Sequence, residues 1–232
     1  MANATDQSGA APARGALITL EGVDGCGKST QAALLTAALE RSGYRVLALR
    51  EPGGTPISEK IRALVLDPAN GEMSTTAELL LYEAARAQLV AQVIEPALAQ
   101  GTVVVCDRFF DSTTAYQAYA GGLDPETVRA ANALAVAGTV PDLTLFYDLD
   151  VRLAFERATS GSADRMEGKG IAFQERVASG FRAIAQAEPD RVRTLDASGD
   201  VASVLVRTVD AVERFGLPLD VDAVSWAYEE MV

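Results

Sequence analysis

The chain is 232 residues long, carries a formal net charge of −12 and contains no histidine. That length suits one large domain or two small ones and is enough to bury a proper core, while the acidic balance argues against a general nucleic-acid binder, which needs a basic surface. Without imidazole the usual general base, most zinc sites and Ser-His-Asp hydrolysis are excluded.

In chain order, "MANATDQSGAAPARG" is rich in Ala, Gly and Pro and has no apolar h-region, so residues 1–14 are expected to form a disordered tail rather than a signal peptide. No apolar run approaches the ~20 residues of a membrane span, and a cytoplasmic protein is expected. "ALITLEG" (16–22) reads as a strand, and 28–43 as a helix stopped by Gly43. "RVLALRE" (45–51) is a second strand. The stretch 74–101 reads as one long helix, with Ala77, Leu80, Leu81, Ala84, Ala85 and Val93 on one face and Thr75 with Glu78 as its capping box. "TVVVCD" (102–107), "DLTLFYDLD" (142–150) and "RVRTLD" (191–196) complete five strands, with helices expected near 124–137, 150–159, 170–187 and 199–214.

The first, third and fourth strands lack polar alternation, as strands covered on both faces do. Strand alternating with helix implies right-handed crossovers and a parallel sheet between two helical layers. One α/β domain is therefore expected over residues 15–215, followed by an extension at 216–232 that carries the only tryptophan and docks on the body or on a partner. Cys26 and Cys106 are too few for a disulfide framework and read as small apolar residues in tight places.

The run Gly22-Val-Asp-Gly-Cys-Gly27-Lys28-Ser29 matches G-x-x-x-x-G-K-[ST] without a mismatch, with a strand before it and a helix after it. Glycines at 22, 25 and 27 give up more backbone freedom than other residues would. In return, successive N–H groups converge on phosphate oxygens at a helix N-terminus. Gly22, Gly25, Cys26, Gly27, Lys28, Ser29 and Thr30 are thus the expected contacts of a nucleoside triphosphate. Lys28 reaches the β and γ phosphates, and the Ser29 hydroxyl holds Mg²⁺. Asp107, at the end of its strand, is placed to hold the same ion through water. No asparagine begins an N-K-x-D guanine motif, which counts against a GTPase. Arg108 follows Asp107 where many ATPase motors place a water-activating Glu, which favours transfer to an anion.

Six segments carry a resemblance: "EGVDGCGKST", "REPGGT" (50–55), "YEAAR" (82–86), "DRFFDSTTAYQ" (107–117), "PDLTLFYDLD" (141–150) and "DRMEGKG" (164–170). In order and spacing, over roughly residues 15 to 215, the chain resembles the bacterial thymidylate kinases of the P-loop nucleoside-monophosphate kinase class. The resemblance implies a three-layer P-loop NTPase fold with a five-stranded parallel sheet and a short lid at about 158–170. It further implies a homodimer and transfer of the γ-phosphoryl of ATP to dTMP. The nucleophile would be a phosphate oxygen already ionised at neutral pH, so charge neutralisation and alignment would replace a general base.

Carried over by position, the resemblance makes Asp24 the acceptor of the deoxyribose 3′-OH, with pairing to Arg108 or Mg²⁺ as the competing reading. It makes Arg86 and Arg108 the forks on the dTMP phosphate, supported by Arg50. Tyr82, one turn before Arg86, would stack on thymine. Ser112, Thr113 and Gln117 would read the base edge, and Tyr116 would lie under the sugar where a ribose 2′-OH clashes. The family's Gly/Arg-rich run after this glutamine is replaced here by Ala118-Tyr-Ala-Gly-Gly.

Members of the family supply a catalytic arginine from the glycine loop or from a basic lid. Gly25 stands where the first type has Arg, so Arg165 is the expected catalytic cation alongside Lys28 and Arg108. Lys169 is second choice, and an ion pair of Arg165 with Asp164 or Glu167 is the competing reading. Arg157 is expected over adenine. The alternatives are another nucleoside or nucleoside-monophosphate kinase of the P-loop class, and an ATP-gated interaction protein.

Overall fold

The computed structural model describes residues 14–159 and 165–232; the expected tail at 1–13 and the lid residue Asp164 lie outside them. Arg14, assigned above to the tail, instead ion-pairs with Asp142 at 2.8 Å. In chain order the elements are β1 (Leu17–Glu21), α1 (Lys28–Arg41), β2 (Val46–Arg50), α2 (Pro56–Leu66), α3 (Thr75–Leu89), α4 (Glu95–Ala99), β3 (Val103–Asp107) and α5 (Phe110–Thr113). There follow α6 (Pro125–Val136), β4 (Leu143–Asp148), α7 (Val151–Ala158), α8 (Ile171–Ala187), β5 (Val192–Asp196), α9 (Val201–Phe215) and α10 (Val221–Met231).

The strands form one parallel sheet in the order β2-β3-β1-β4-β5. The three runs without polar alternation, β1, β3 and β4, are the interior strands, whereas edge strands β2 and β5 leave Ala48, Arg50, Arg193 and Thr194 exposed. Ile18, Leu20, Val103 and Val105 share a core with Leu35 and Leu39 of α1 and Val204 and Val212 of α9. Leu17, Val104 and Cys106 gather Leu89, Ile94, Leu98 and Phe109 in a second cluster. Each fully buried Leu or Val contributes roughly 1.5–3 kcal/mol, so these two cores hold the sheet rigid beneath the site. Its register sets Leu20 and Arg50 each opposite Asp107, so the chemistry-bearing residues emerge together at the C-terminal edge.

The expected helix at 74–101 is not continuous. Between α3 and α4 the backbone widens into a π-helical turn at Val90–Ile94. Pro96 explains this: it has no N–H to donate, and its ring would strike the carbonyl four residues back. The capping residue is Ser74, whose hydroxyl accepts from the Ala77 N–H, and not Thr75 as expected. Glu78 is buried and engaged elsewhere.

Three helical stretches were not anticipated: α2, the run of α5 into a π-helical segment, Thr114–Ala120, and α10. The extension forms α10, which lies on α1 with the Arg41 guanidinium 4.5 Å from the Trp226 ring centroid. It therefore docks on the body. Among the described residues, no helix is long and apolar enough to cross a membrane.

Candidate active site

The glycine loop joins β1 to α1. At Gly25 the backbone is left-handed, with φ of 80°, and a Cβ there would stand 2.0 Å from the carbonyl oxygen of Ala154 in α7. No side chain fits, so a loop arginine is excluded by the approach of α7 as well as by sequence. Gly27, Ser29 and Thr30 are exposed at the start of α1, whereas Cys26 is buried and its thiol is pushed up by that burial. The Lys28 ammonium lies 3.8 Å from the Asp24 carboxylate. The Ser29 hydroxyl donates to Asp107 Oδ2 at 2.5 Å.

Beside this loop opens a cavity of about 260 Å³, which Asp24, Lys28 and Ser29 line together with Arg50, Tyr82 and Arg108. Arg86, Ser112, Thr113, Tyr116 and Gln117 complete the expected acceptor residues, and all of them reach the same wall. Residues from three separate segments thus converge on the triphosphate loop. Arg157, expected over adenine, is exposed on α7.

Arg108 is the hinge between the two halves. Its backbone has φ of 70°, rare for a side-chain-bearing residue and typical of functional sites. Its guanidinium donates to Asp24 Oδ1, to the Gly22 carbonyl, to Ser112 Oγ and to the Tyr116 hydroxyl. Burial pushes the Asp24 carboxyl up, but Arg108, Lys28 and the Tyr116 hydroxyl outweigh it and bring its pKa to about 2. Asp24 is an anion at every physiological pH, and in this state it is paired with Arg108.

Three residues are held by partners that the sequence does not announce. Ser112 Oγ lies 2.6 Å from Glu21 Oε2 and accepts from Arg108, so its hydroxyl supports Arg108. Arg86 is 2 % exposed and bracketed by Glu51 and Glu83, each at 2.7 Å. Its charge is compensated, which suits a fixed donor better than a phosphate fork. It also donates to Thr113 Oγ1 at 3.0 Å, at the end of the cavity assigned to the base. Arg165 pairs at 2.6 Å with Glu78 of α3, a partner not among those considered, and donates Nε–H to the Val65 carbonyl. Lys169 reaches the same carboxylate at 2.9 Å. A buried carboxylate thus captures both lid cations, and neither lines the cavity as Lys28 and Arg108 do.

Sequence reading missed Glu51, Glu83 and Arg62. Arg62 sits on unanticipated α2, lines the cavity and donates to the Pro52 carbonyl, as Arg50 also does. The signal for α2 was present: Thr55 caps the helix by accepting from the Ser58 N–H, and Pro56 occupies the first turn. Nothing local marks Glu51 as a counter-ion, because it meets Arg86 across 35 positions, whereas Glu83 stands one helical turn before Arg86, a spacing that could have signalled it.

The comparisons agree with this fold. The family model described as thymidylate kinase matches residues 20–207. A thymidylate kinase of Trichlorobacter lovleyi is 46 % identical over 210 residues, spanning 87 % of this chain and 99 % of that relative. One of Pelotomaculum thermopropionicum is 52 % identical over 203 residues, spanning 87 % and 94 %. The crystal structure of thymidylate kinase from Ehrlichia chaffeensis superposes with a TM-score of 0.71 at 33 % identity, covering 86 % of this chain and 99 % of the other. The chain belongs to the thymidylate kinase family.

Proposed function

We propose that the chain transfers the γ-phosphoryl group of ATP to dTMP, giving dTDP and ADP. The observation that carries this reading is the shared cavity, with Lys28 and Ser29 of the triphosphate loop on one wall and Arg50, Arg108, Tyr82 and Gln117 on the other. An oxygen of the acceptor phosphate attacks the γ-phosphorus as the bond to the β-bridging oxygen breaks. That oxygen is already anionic, so a chain with no histidine loses nothing.

The loop N–H groups and Lys28 hold the β and γ phosphates. Arg108 and Arg50 neutralise the acceptor phosphate, and Arg108 turns part of its fork from Asp24 to do so. Asp24, anionic and already accepting from Tyr116 at 2.9 Å, accepts the deoxyribose 3′-OH. Tyr116 fills the space beneath the sugar, and Tyr82 stacks on the base. Thr113 and Gln117 meet the base edge, with Arg86 as a rigid donor behind them. The catalytic cations are then Lys28 and Arg108, while Arg165 holds the lid base to α2 and α3.

Ser29 and Asp107 suit Mg²⁺: both offer hard oxygens, and buried Asp107 Oδ1 has no hydrogen-bond partner. When bound, the ion offsets charge on the phosphate oxygens. We further propose a homodimer and a cytoplasmic location. Ile57 and Leu64 of α2, Leu80 of α3 and Leu134 of α6 are exposed apolar residues on neighbouring helices, a face that a second copy would cover.

Coupled ADP release across a panel of nucleotides tests the function. Rapid turnover is expected with ATP, Mg²⁺ and dTMP. Equal turnover with thymidine or UMP, or ATP consumption independent of any acceptor, would sink the reading.

A further inference from the structure

We propose that Glu78 is a positioning residue that turns the carboxamide oxygen of Gln117 toward the acceptor cavity, so that the site prefers a pyrimidine monophosphate with an N–H at ring position 3 over one with a bare nitrogen there. The proposal rests on the dTMP reading and goes beyond it by naming what sets the polarity of the base contact.

The reasoning is one of donors and acceptors. Gln117 is 1 % exposed, lines the cavity, and places Nε2 at 2.8 Å from Glu78 Oε1. An ionised carboxylate only accepts hydrogen bonds, and a primary amide has one donating end and one accepting end. While Glu78 is charged, the NH₂ end of Gln117 must face it, and the oxygen is left for the cavity. This does not depend on which atom is labelled nitrogen, because the opposite orientation sets two acceptors against each other in a buried place.

Two cations keep Glu78 charged. Arg165 lies at 2.6 Å and Lys169 at 2.9 Å, although Glu78 itself is 1 % exposed. Burial pushes its carboxyl up, but the Gln117 amide, Lys169 and Arg165 together hold it below the usual carboxylate range. The pair on the lid thus acts on the base through two intermediaries, the carboxylate and the amide. Thymine and uracil offer an N–H to the carboxamide oxygen; cytosine offers a lone pair, and the two acceptors repel. Sites built to bond an N–H discriminate strongly against analogues that lack it.

The test is Glu78→Gln, assayed for kcat and KM with dTMP, dCMP and ATP. A neutral amide at 78 both donates and accepts, so Gln117 is free to turn. The expected result is at least a tenfold fall in the dTMP-to-dCMP ratio of kcat/KM, carried by KM for the acceptor, with the KM for ATP unchanged. Glu78→Asp, which keeps the charge, restores most of the ratio. An unchanged ratio in Glu78→Gln overturns the role of Glu78 alone, whereas a wild type inert toward dTMP overturns the functional reading beneath it. Should Glu78→Gln fail to fold, ¹⁵N spectra of the wild-type Gln117 side chain decide. Its NH₂ signals stay nearly in place on adding dTMP if they face Glu78, and a large shift shows them facing the base and overturns the proposal.

Discussion

The two walls of the cavity are built on opposite plans. The donor wall comes from eight consecutive residues, of which Asp24, Lys28 and Ser29 line the cavity. The acceptor wall is gathered from distant segments, and its forks are tied to carboxylates: Arg86 to Glu51 and Glu83, Arg108 to Asp24, Arg50 to Glu59. Backbone dipoles need no counter-ion, so a loop can present them bare. A buried guanidinium left unpaired costs several kcal/mol, so Arg86 and Arg108 each stand beside a carboxylate, Arg86 beside Glu51 and Glu83 and Arg108 beside Asp24 of the loop. One wall is therefore compact in sequence, and the other is compact only in space.

If this contrast is right, the donor wall fails in chemistry first. Lys28→Ala is expected to lower kcat by about 10²–10³-fold, as loss of a single preorganised donor does elsewhere, with a melting temperature close to the parent's. Steady-state kinetics beside a thermal melt check both. The acceptor wall should divide by how much each arginine serves the fold. Arg86→Ala leaves Glu51 and Glu83 buried without their partner, and about 3–5 kcal/mol of folding stability should go with it. Arg108→Ala should instead cost roughly 2–5 kcal/mol in kcat/KM for dTMP. Urea melts and kinetics on the two variants separate them, and equal losses of stability would erase the distinction.

Proton linkage sharpens the same contrast. Burial pushes Glu51 up to about 7, against the pull of Arg86 and with help from Glu83. The unfolded chain gives up this proton near 4.5. Between those values the folded state binds more protons than the unfolded one. The contribution is therefore full below 4.5 and is lost as pH rises through about 7, a span worth on the order of 3 kcal/mol. Glu51→Gln should flatten that part of the stability profile. A slope of the same sign remains from Glu21, raised to about 8 by burial and by Asp111. An unchanged profile would mean that Glu51 is ionised throughout.

The contrast also explains what could be read in advance. The sheet was legible because β1, β3 and β4 are apolar on both faces, which made them interior strands. The donor loop was legible because its eight positions are contiguous. Arg86 was found as a site residue but its counter-ions were not: Glu51 lies 35 positions before it, and Glu83, one turn before it in the same YEAAR segment, was passed over. The pairing of Arg165 went unread for a related reason, its partner Glu78 being 87 positions away on α3. Pairings between remote charges are set by the fold, and residue type alone does not encode them. The break at Val90–Ile94 was legible in principle from Pro96, and the apolar periodicity masked it.

The smallest effect tests whether the donor wall is as self-sufficient as its sequence suggests. α1 begins at the glycine loop, and its last residue, Arg41, lies against Trp226 of α10, beyond the residues that the family model matches. Ala223 and Ala227 of α10 are buried, and the Tyr44 hydroxyl donates to the Pro218 carbonyl, so the extension braces the far end of the donor helix. Arg41→Gln removes the cation from the ring and leaves the rest of the contact, at a cost of about 0.5–1 kcal/mol. For a domain of this size that is roughly 1–4 °C in melting temperature. A loop organised by its own backbone should not register the change, so KM for ATP and for dTMP should both hold. A rise in KM for ATP alone would show that the phosphate cradle leans on α10, and that its apparent independence belongs to the sequence and not to the molecule.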